Sequence, residues 1–137
     1  AQPNEGCCKV YMAPFDVRLP RKGNDDNQID TVVQPDLCVI CDPKKLDKRG
    51  AIGAPDLVVE IVSPGNTKKD LKYKFSLYEE AGVKEYWIIH PTDQTVSVFV
   101  LDNDKYRGLA PIVEGDTLQS VTFPNLKINT NEIFHNH

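Results

Sequence analysis

The stretch Pro55-Asp56-Leu57-Val58-Val59-Glu60-Ile61-Val62-Ser63-Pro64, PDLVVEIVSP, reads as a buried strand with one residue out of place. Leu57 to Val62 is apolar and rich in β-branched residues, and it is bounded by Pro55 and by Ser63-Pro64. That composition and length suit a strand covered on both faces. Glu60 interrupts it. An isolated buried carboxylate is so costly that it is normally paired, protonated or bound to a metal ion. The rest of the chain has to supply the partner.

Downstream of Pro64 the hydrophobic period changes from strand to helix. Leu71, Phe75, Tyr78 and Ala81 recur at helical spacing, Thr67-Lys68-Lys69-Asp70 matches a capping box, and Gly82 stands where a helix stops. Glu85 to His90, EYWIIH, and Thr95 to Leu101, TVSVFVL, then read as strands joined by Pro91-Thr92-Asp93-Gln94, with weaker strand signals near Tyr106 and Val121. Upstream, Lys9 to Leu19 reads as a first strand and Asp36 to Cys41 as a second. Pro20 to Gln34 begins as a polar, turn-rich connection, and Asp42 to Ala54 reads as a mobile loop. This order predicts an α/β or α+β fold with a mixed sheet. The helix carries the chain from the third strand to a parallel fourth by a right-handed crossover. It therefore begins beside the carboxyl end of the strand that carries Glu60, the edge that sites in open sheets favour.

With 137 residues, 40% hydrophobic and 26% charged, the chain suffices for one compact domain spanning residues 1–137. No apolar run approaches the length of a membrane span and no signal peptide is evident, so a soluble protein of the bacterial cytoplasm is expected. The net charge of -4 is unlike that of a strongly basic nucleic-acid binder. The basic residues are nevertheless clustered, at Lys44, Lys45, Lys48 and Arg49 and again at Lys68, Lys69, Lys72 and Lys74. Such runs are ordinarily solvated faces. Cys38 and Cys41 have C-x-x-C spacing but no second metal-ligand pair, and are read as two buried small hydrophobes. Cys7-Cys8 is a terminal pair without an assigned role. His90 precedes a turn, and His135 and His137 lie in the terminal tail without a catalytic partner in sequence.

Geometry narrows the search for the partner of Glu60. Asp56 shares its strand face, but four residues at ~3.3 Å each separate the two by about 13 Å, too far for one ion. Asp36 opens the neighbouring strand, and strands ~4.8 Å apart bring two carboxylates within reach of one hard cation. Lys74, one turn beyond Asp70, is placed to reach back over the sheet. Two carboxylates and an ammonium around one cavity form a constellation for metal-dependent phosphodiester cleavage. Lys68 and Lys69 in the first helical turn oppose the helix dipole, so an anion such as a DNA phosphate near them, or near Lys72, accounts for them as well as surface tolerance does. Asp70 is read chiefly as part of the capping box.

VQPDL at 33–37, PDLVVEIVSP at 55–64, Asp70, Lys74 and Tyr78 at four-residue spacing, and GVKEYWIIHP at 82–91 together resemble the Uma-type family of restriction endonucleases, part of the PD-(D/E)xK nuclease superfamily. The resemblance covers roughly residues 9 to 101. It implies a restriction-endonuclease-like mixed β-sheet with a crossover helix, Asp36 and Glu60 as metal ligands, Lys74 as the catalytic lysine, Mg²⁺ (or Mn²⁺) as cofactor, and DNA as partner. A homodimer is compatible with it. The sequence departs from the superfamily pattern at Val62, where a Lys two positions after Glu60 is usual; the similar family places that Lys in the following helix, here Lys74. The family's N-terminal helix is missing ahead of the first strand, so the chain is read as N-terminally truncated. A non-catalytic nucleic-acid-binding or assembly module that retains the nuclease fold is the alternative.

Overall fold

The computed structural model of the chain describes residues 8–20 and 29–134. Cys7, His135, His137 and the polar residues following Pro20, up to 28, lie outside the described residues. In chain order the elements are β1 (Lys9–Met12), β2 (Val17–Pro20), β3 (Ile29–Val33), β4 (Leu37–Ile40), a 3₁₀ turn (Pro43–Lys45), β5 (Leu46–Asp47), β6 (Gly50–Ile52), β7 (Leu57–Ile61), α1 (Lys68–Ala81), β8 (Glu85–His90), β9 (Thr95–Asp102), β10 (Lys105–Gly108), β11 (Ile112–Val113), β12 (Thr117–Gln119), β13 (Lys127–Asn129) and α2 (Thr130–Phe134).

β7 lies inside a seven-stranded mixed sheet ordered β1-β4-β7-β8-β9-β10, with β11 also paired to β9. It runs antiparallel to β4 and parallel to β8. Side chains alternate across the sheet, and the two faces of β7 feed two different cores. Val58 packs with Cys38, Ile40, Tyr86 and Ile88 against Tyr78 of α1 and against Val17, Leu19, Val33 and Ala51 of a second, four-stranded sheet. Leu57 and Val59 face the other way and meet Trp87, Val96 and Val98, covered by Leu118, Phe123, Ile128 and the apolar side of α2. The continuous apolar run is thus explained by burial on both sides.

The crossover is built as its sequence signals dictate. Thr67 Oγ1 accepts from Asp70 N at 3.1 Å and Asp70 Oδ2 accepts from Thr67 N at 3.1 Å, so both halves of the capping box are present. These bonds to Thr67 hold the Asp70 carboxyl below the usual carboxylate range. At the other end Gly82 takes φ 89°, where a Cβ is disfavoured, and its N–H returns to the carbonyls of Tyr78 and Glu79. β8 then follows parallel to β7 with Glu60 beside Ile88.

Several elements differ from the sequence expectation. Lys9 to Leu19 is two strands, β1 and β2, in two separate sheets. Pro14 offers no N–H to continue a ladder, and the Ala13 N–H turns to the Asp36 carbonyl at 3.1 Å as the chain leaves the first sheet. Ile29–Val33, expected within a connection, is β3 paired to β2. The expected loop at Asp42 to Ala54 contains the β5–β6 hairpin, and β6 pairs parallel to β2. Gly50 permits this docking, because a Cβ there would lie 2.2 Å from the Asp16 carbonyl oxygen. The strand signal near Val121 belongs to β12, and Val121 itself lies beyond it, exposed. Cys41, expected as a buried hydrophobe, is disulfide-bonded to Cys8. The pairing of Lys9 with Ile40 brings those two cysteines opposite each other one step further along the ladder. Cys38 matches its expectation as a buried free thiol, pushed up to about 12 by burial.

A second glutamate, Glu85, is 0% exposed and lies on the opposite face from Glu60. It accepts from Trp87 Nε1 at 2.7 Å, Ser120 Oγ at 3.0 Å and Thr122 N at 2.8 Å, tying β8 to the segment after β12. Its carboxylate is enclosed by donors, which assigns it to the fold. Glu85→Ala strands these donors in the core, and the expected loss is about 3–5 kcal/mol in urea-denaturation free energy. A loss under about 1 kcal/mol would show that the network does not hold the segment.

Candidate active site

Asp36 and Glu60 meet because of register. Leu37 pairs with Val59 in the antiparallel β4–β7 ladder, so one further step sets Asp36 opposite Glu60. Opposite residues of such a pair share a face, here the face covered by α1. Pro35 precedes Asp36 and has no N–H for the ladder. Asp36 Oδ2 instead accepts from the Ile61 amide at 2.7 Å, closing the end of the pairing with a side chain.

Glu60 is 8% exposed and receives two donors from α1 on one oxygen. Tyr78 Oη donates to Glu60 Oε2 at 2.6 Å, and Lys74 Nζ lies 3.3 Å from the same atom. Lys74 and Tyr78 are one turn apart and project over the sheet together. The Tyr78 hydroxyl is pushed up, first by burial and then by the charge of Glu60, so it remains a donor. Its ring is held by Tyr86, with centroids 4.9 Å apart. Beside these groups lies a crevice of about 20 Å³ lined by Glu60, Val62, Asn66, Asp70, Lys74 and Tyr86, among others.

Glu60 is therefore tolerated in its strand because α1 returns an ammonium and a phenol to it. Among the described residues, neither Glu60 Oε1 nor Asp36 Oδ1 accepts a hydrogen bond. Among the described residues each carboxylate is therefore hydrogen-bonded through one oxygen only. No set of three or more His, Cys, Asp or Glu among the described residues could enclose a metal. Two carboxylates fit Mg²⁺, which retains several waters and is completed by phosphate, better than zinc.

The other sequence candidates divide. Lys68, Lys69 and Lys72 are exposed on α1, and none of them reaches Glu60. Asp70 stands at the crevice but spends its carboxylate on the capping box. Asp56 lies at the far end of β7, where it accepts from Cys41 N at 2.9 Å and pairs with Lys84 at 3.3 Å. His90 Nε2 lies 3.2 Å from the Ser97 hydroxyl. In sequence Tyr78 stands only as a core position and a motif residue. Its role as a partner of Glu60 was foreshadowed by its spacing of four from Lys74. Tyr86 at the crevice carried no sequence signal beyond a strand aromatic.

Comparison with known proteins agrees with this fold. A solved structure from Anabaena variabilis ATCC 29413, described as a "putative nuclease belonging to DUF820", superposes with a TM-score of 0.67 at 17% identity, covering 93% of this chain and 68% of that one. At that identity the likeness speaks for the fold alone. No curated protein matches the chain. The family Uma2, described as "Putative restriction endonuclease", matches residues 1–131. With nearly the whole length matched, the chain belongs to the Uma2 family of nuclease-type proteins.

Proposed function

We propose that this chain is a Mg²⁺-dependent endonuclease that hydrolyses DNA phosphodiester bonds, with Mn²⁺ able to replace Mg²⁺. The observation that carries the reading is the buried Glu60, held by Lys74 and Tyr78 on one oxygen and set opposite Asp36, its other oxygen without a hydrogen bond among the described residues. A purely structural carboxylate would be enclosed by donors, as Glu85 is.

In this reading Asp36 and Glu60 are the protein ligands of the ion. Bound there, Mg²⁺ supplies the positive charge that neutralises the scissile phosphate and lowers the pKa of the attacking water. Tyr78 fixes the Glu60 carboxylate from beneath. Lys74, whose side chain is 35% exposed, has one end of its reach on Glu60 and the other towards solvent. It orients the attacking water and stabilises charge developing on the phosphate. Lys68, Lys69 and Lys72, exposed along the start of α1, hold the flanking DNA phosphates as positioning contacts without sequence information.

Two experiments test these roles. In the first, millimolar Mg²⁺ or Mn²⁺ raises the thermal midpoint of the wild-type chain by mass action, and Asp36→Asn abolishes the shift. The Asn side-chain oxygen still accepts from Ile61 N, so the variant keeps its fold. A wild-type midpoint indifferent to divalent ions favours the non-catalytic binding module. In the second, Lys74→Ala lowers DNA cleavage by about a hundredfold while ion binding is kept. Lys72→Ala is far milder, because the two residues point about 200° apart around the helix. Val62 lines the same crevice as Lys74, so Val62→Lys in the Lys74→Ala background restores part of the cleavage. Wild-type cleavage by Lys74→Ala removes the lysine from the mechanism.

A further inference from the structure

Tyr86 lies on β8, two residues before Ile88, the neighbour of Glu60 across the parallel ladder. It is 0% exposed, and its ring stacks obliquely on that of Tyr78. Among the described residues its hydroxyl is the one fully buried side-chain polar atom without a hydrogen-bond partner. Such orphans are rare in folded proteins because a buried donor left unmade costs its whole desolvation. Phenylalanine would fill the same volume without that penalty.

The surroundings indicate what this hydroxyl meets. Tyr86 lines the crevice shared by Glu60, Asn66, Asp70 and Lys74. Burial, and after it the charge of Glu60, pushes the hydroxyl up, so it keeps its proton and acts as a donor. Glu60 takes its two side-chain hydrogen bonds from Tyr78 and Lys74, not from Tyr86. The crevice volume of about 20 Å³ accommodates one water, and its lining supplies the several polar partners that a buried water requires.

We propose that Tyr86 is a positioning residue of the active site: its hydroxyl donates to a single water on the floor of the crevice, and that water bridges to Glu60 and Lys74. The water donates to the Glu60 carboxylate and accepts from the Lys74 ammonium. Both groups are thereby held where metal binding and phosphate attack need them. The expected effect on cleavage rests on the nuclease reading, whereas the water rests on the crevice alone.

The test uses the full chain and its Tyr86→Phe variant, which removes only the orphaned oxygen. A crystal structure of the wild type fine enough to show waters should hold one within hydrogen-bond distance of Tyr86 Oη and of Glu60 or Lys74, and the variant crystal should lack it. In cleavage assays Tyr86→Phe should lose about tenfold or more in kcat with KM kept, because a small displacement of a catalytic group is enough for such a loss. Its thermal midpoint should hold or rise. A dry crevice in the wild type overturns the inference, as does wild-type kcat in the variant. If the wild-type chain cuts no DNA, the functional reading fails and the water alone decides the inference.

Discussion

The hydrogen bond from Tyr78 to Glu60, with the Lys74 ammonium on the same oxygen, is the contact around which this structure is arranged. A carboxylate in the middle of a strand buried on both faces is tolerated only where something compensates its desolvation. Here the compensation comes from one helix, and it arrives only if that helix starts and ends at the right residues. The capping box at Thr67 and Asp70 sets the start, and the left-handed Gly82 sets the stop and turns the chain into β8. A shift of one residue would rotate Lys74 and Tyr78 by about 100° away from the sheet.

Two buried glutamates on neighbouring strands show how surroundings divide roles between identical side chains. Glu85 is closed in by an indole N–H, a hydroxyl and backbone amides, and it staples the C-terminal segment to the sheet. Glu60 is held on one oxygen by Tyr78 and Lys74 and stands opposite Asp36 in the ladder. The first arrangement leaves nothing for a ligand. The second sets two carboxylates on one face at the carboxyl end of β7, each with one oxygen unbonded among the described residues, and Asp36 also caps the ladder through Ile61. Fold and site thus use the same few bonds, and the residues that end the strand pairing are those that create the opening.

Much of this was legible in the sequence because the decisive signals are local. The apolar run around Glu60, the capping box, Gly82 and the alternation after Glu85 each act within a few residues, and the crossover to a parallel strand follows from their order. The position of Lys74 one turn beyond Asp70 placed it over the sheet, whereas Tyr78 read only as a core position and a motif residue. What could not be read depends on register between distant segments. Cys8 meets Cys41 only through the β1–β4 ladder, and the β5–β6 hairpin looks like a loop until Gly50 is seen to pass against Asp16. Pro14 divides an apparently continuous strand between two sheets. Glu85 and Tyr86 lie side by side in a run that reads only as strand, and alternation sends one to a structural network and the other to the crevice.

Whether Glu60 is retained for an ion or for stability is decided by Glu60→Gln. The glutamine side-chain oxygen can still accept from Tyr78, but the neutral amide is a far poorer ligand for a hard cation. Cleavage of supercoiled plasmid DNA in Mg²⁺ by this variant is compared with wild type, with thermal unfolding measured on the same samples. The account predicts a folded variant whose cleavage falls by about a hundredfold or more. Cleavage at the wild-type rate by a folded Glu60→Gln chain would contradict it.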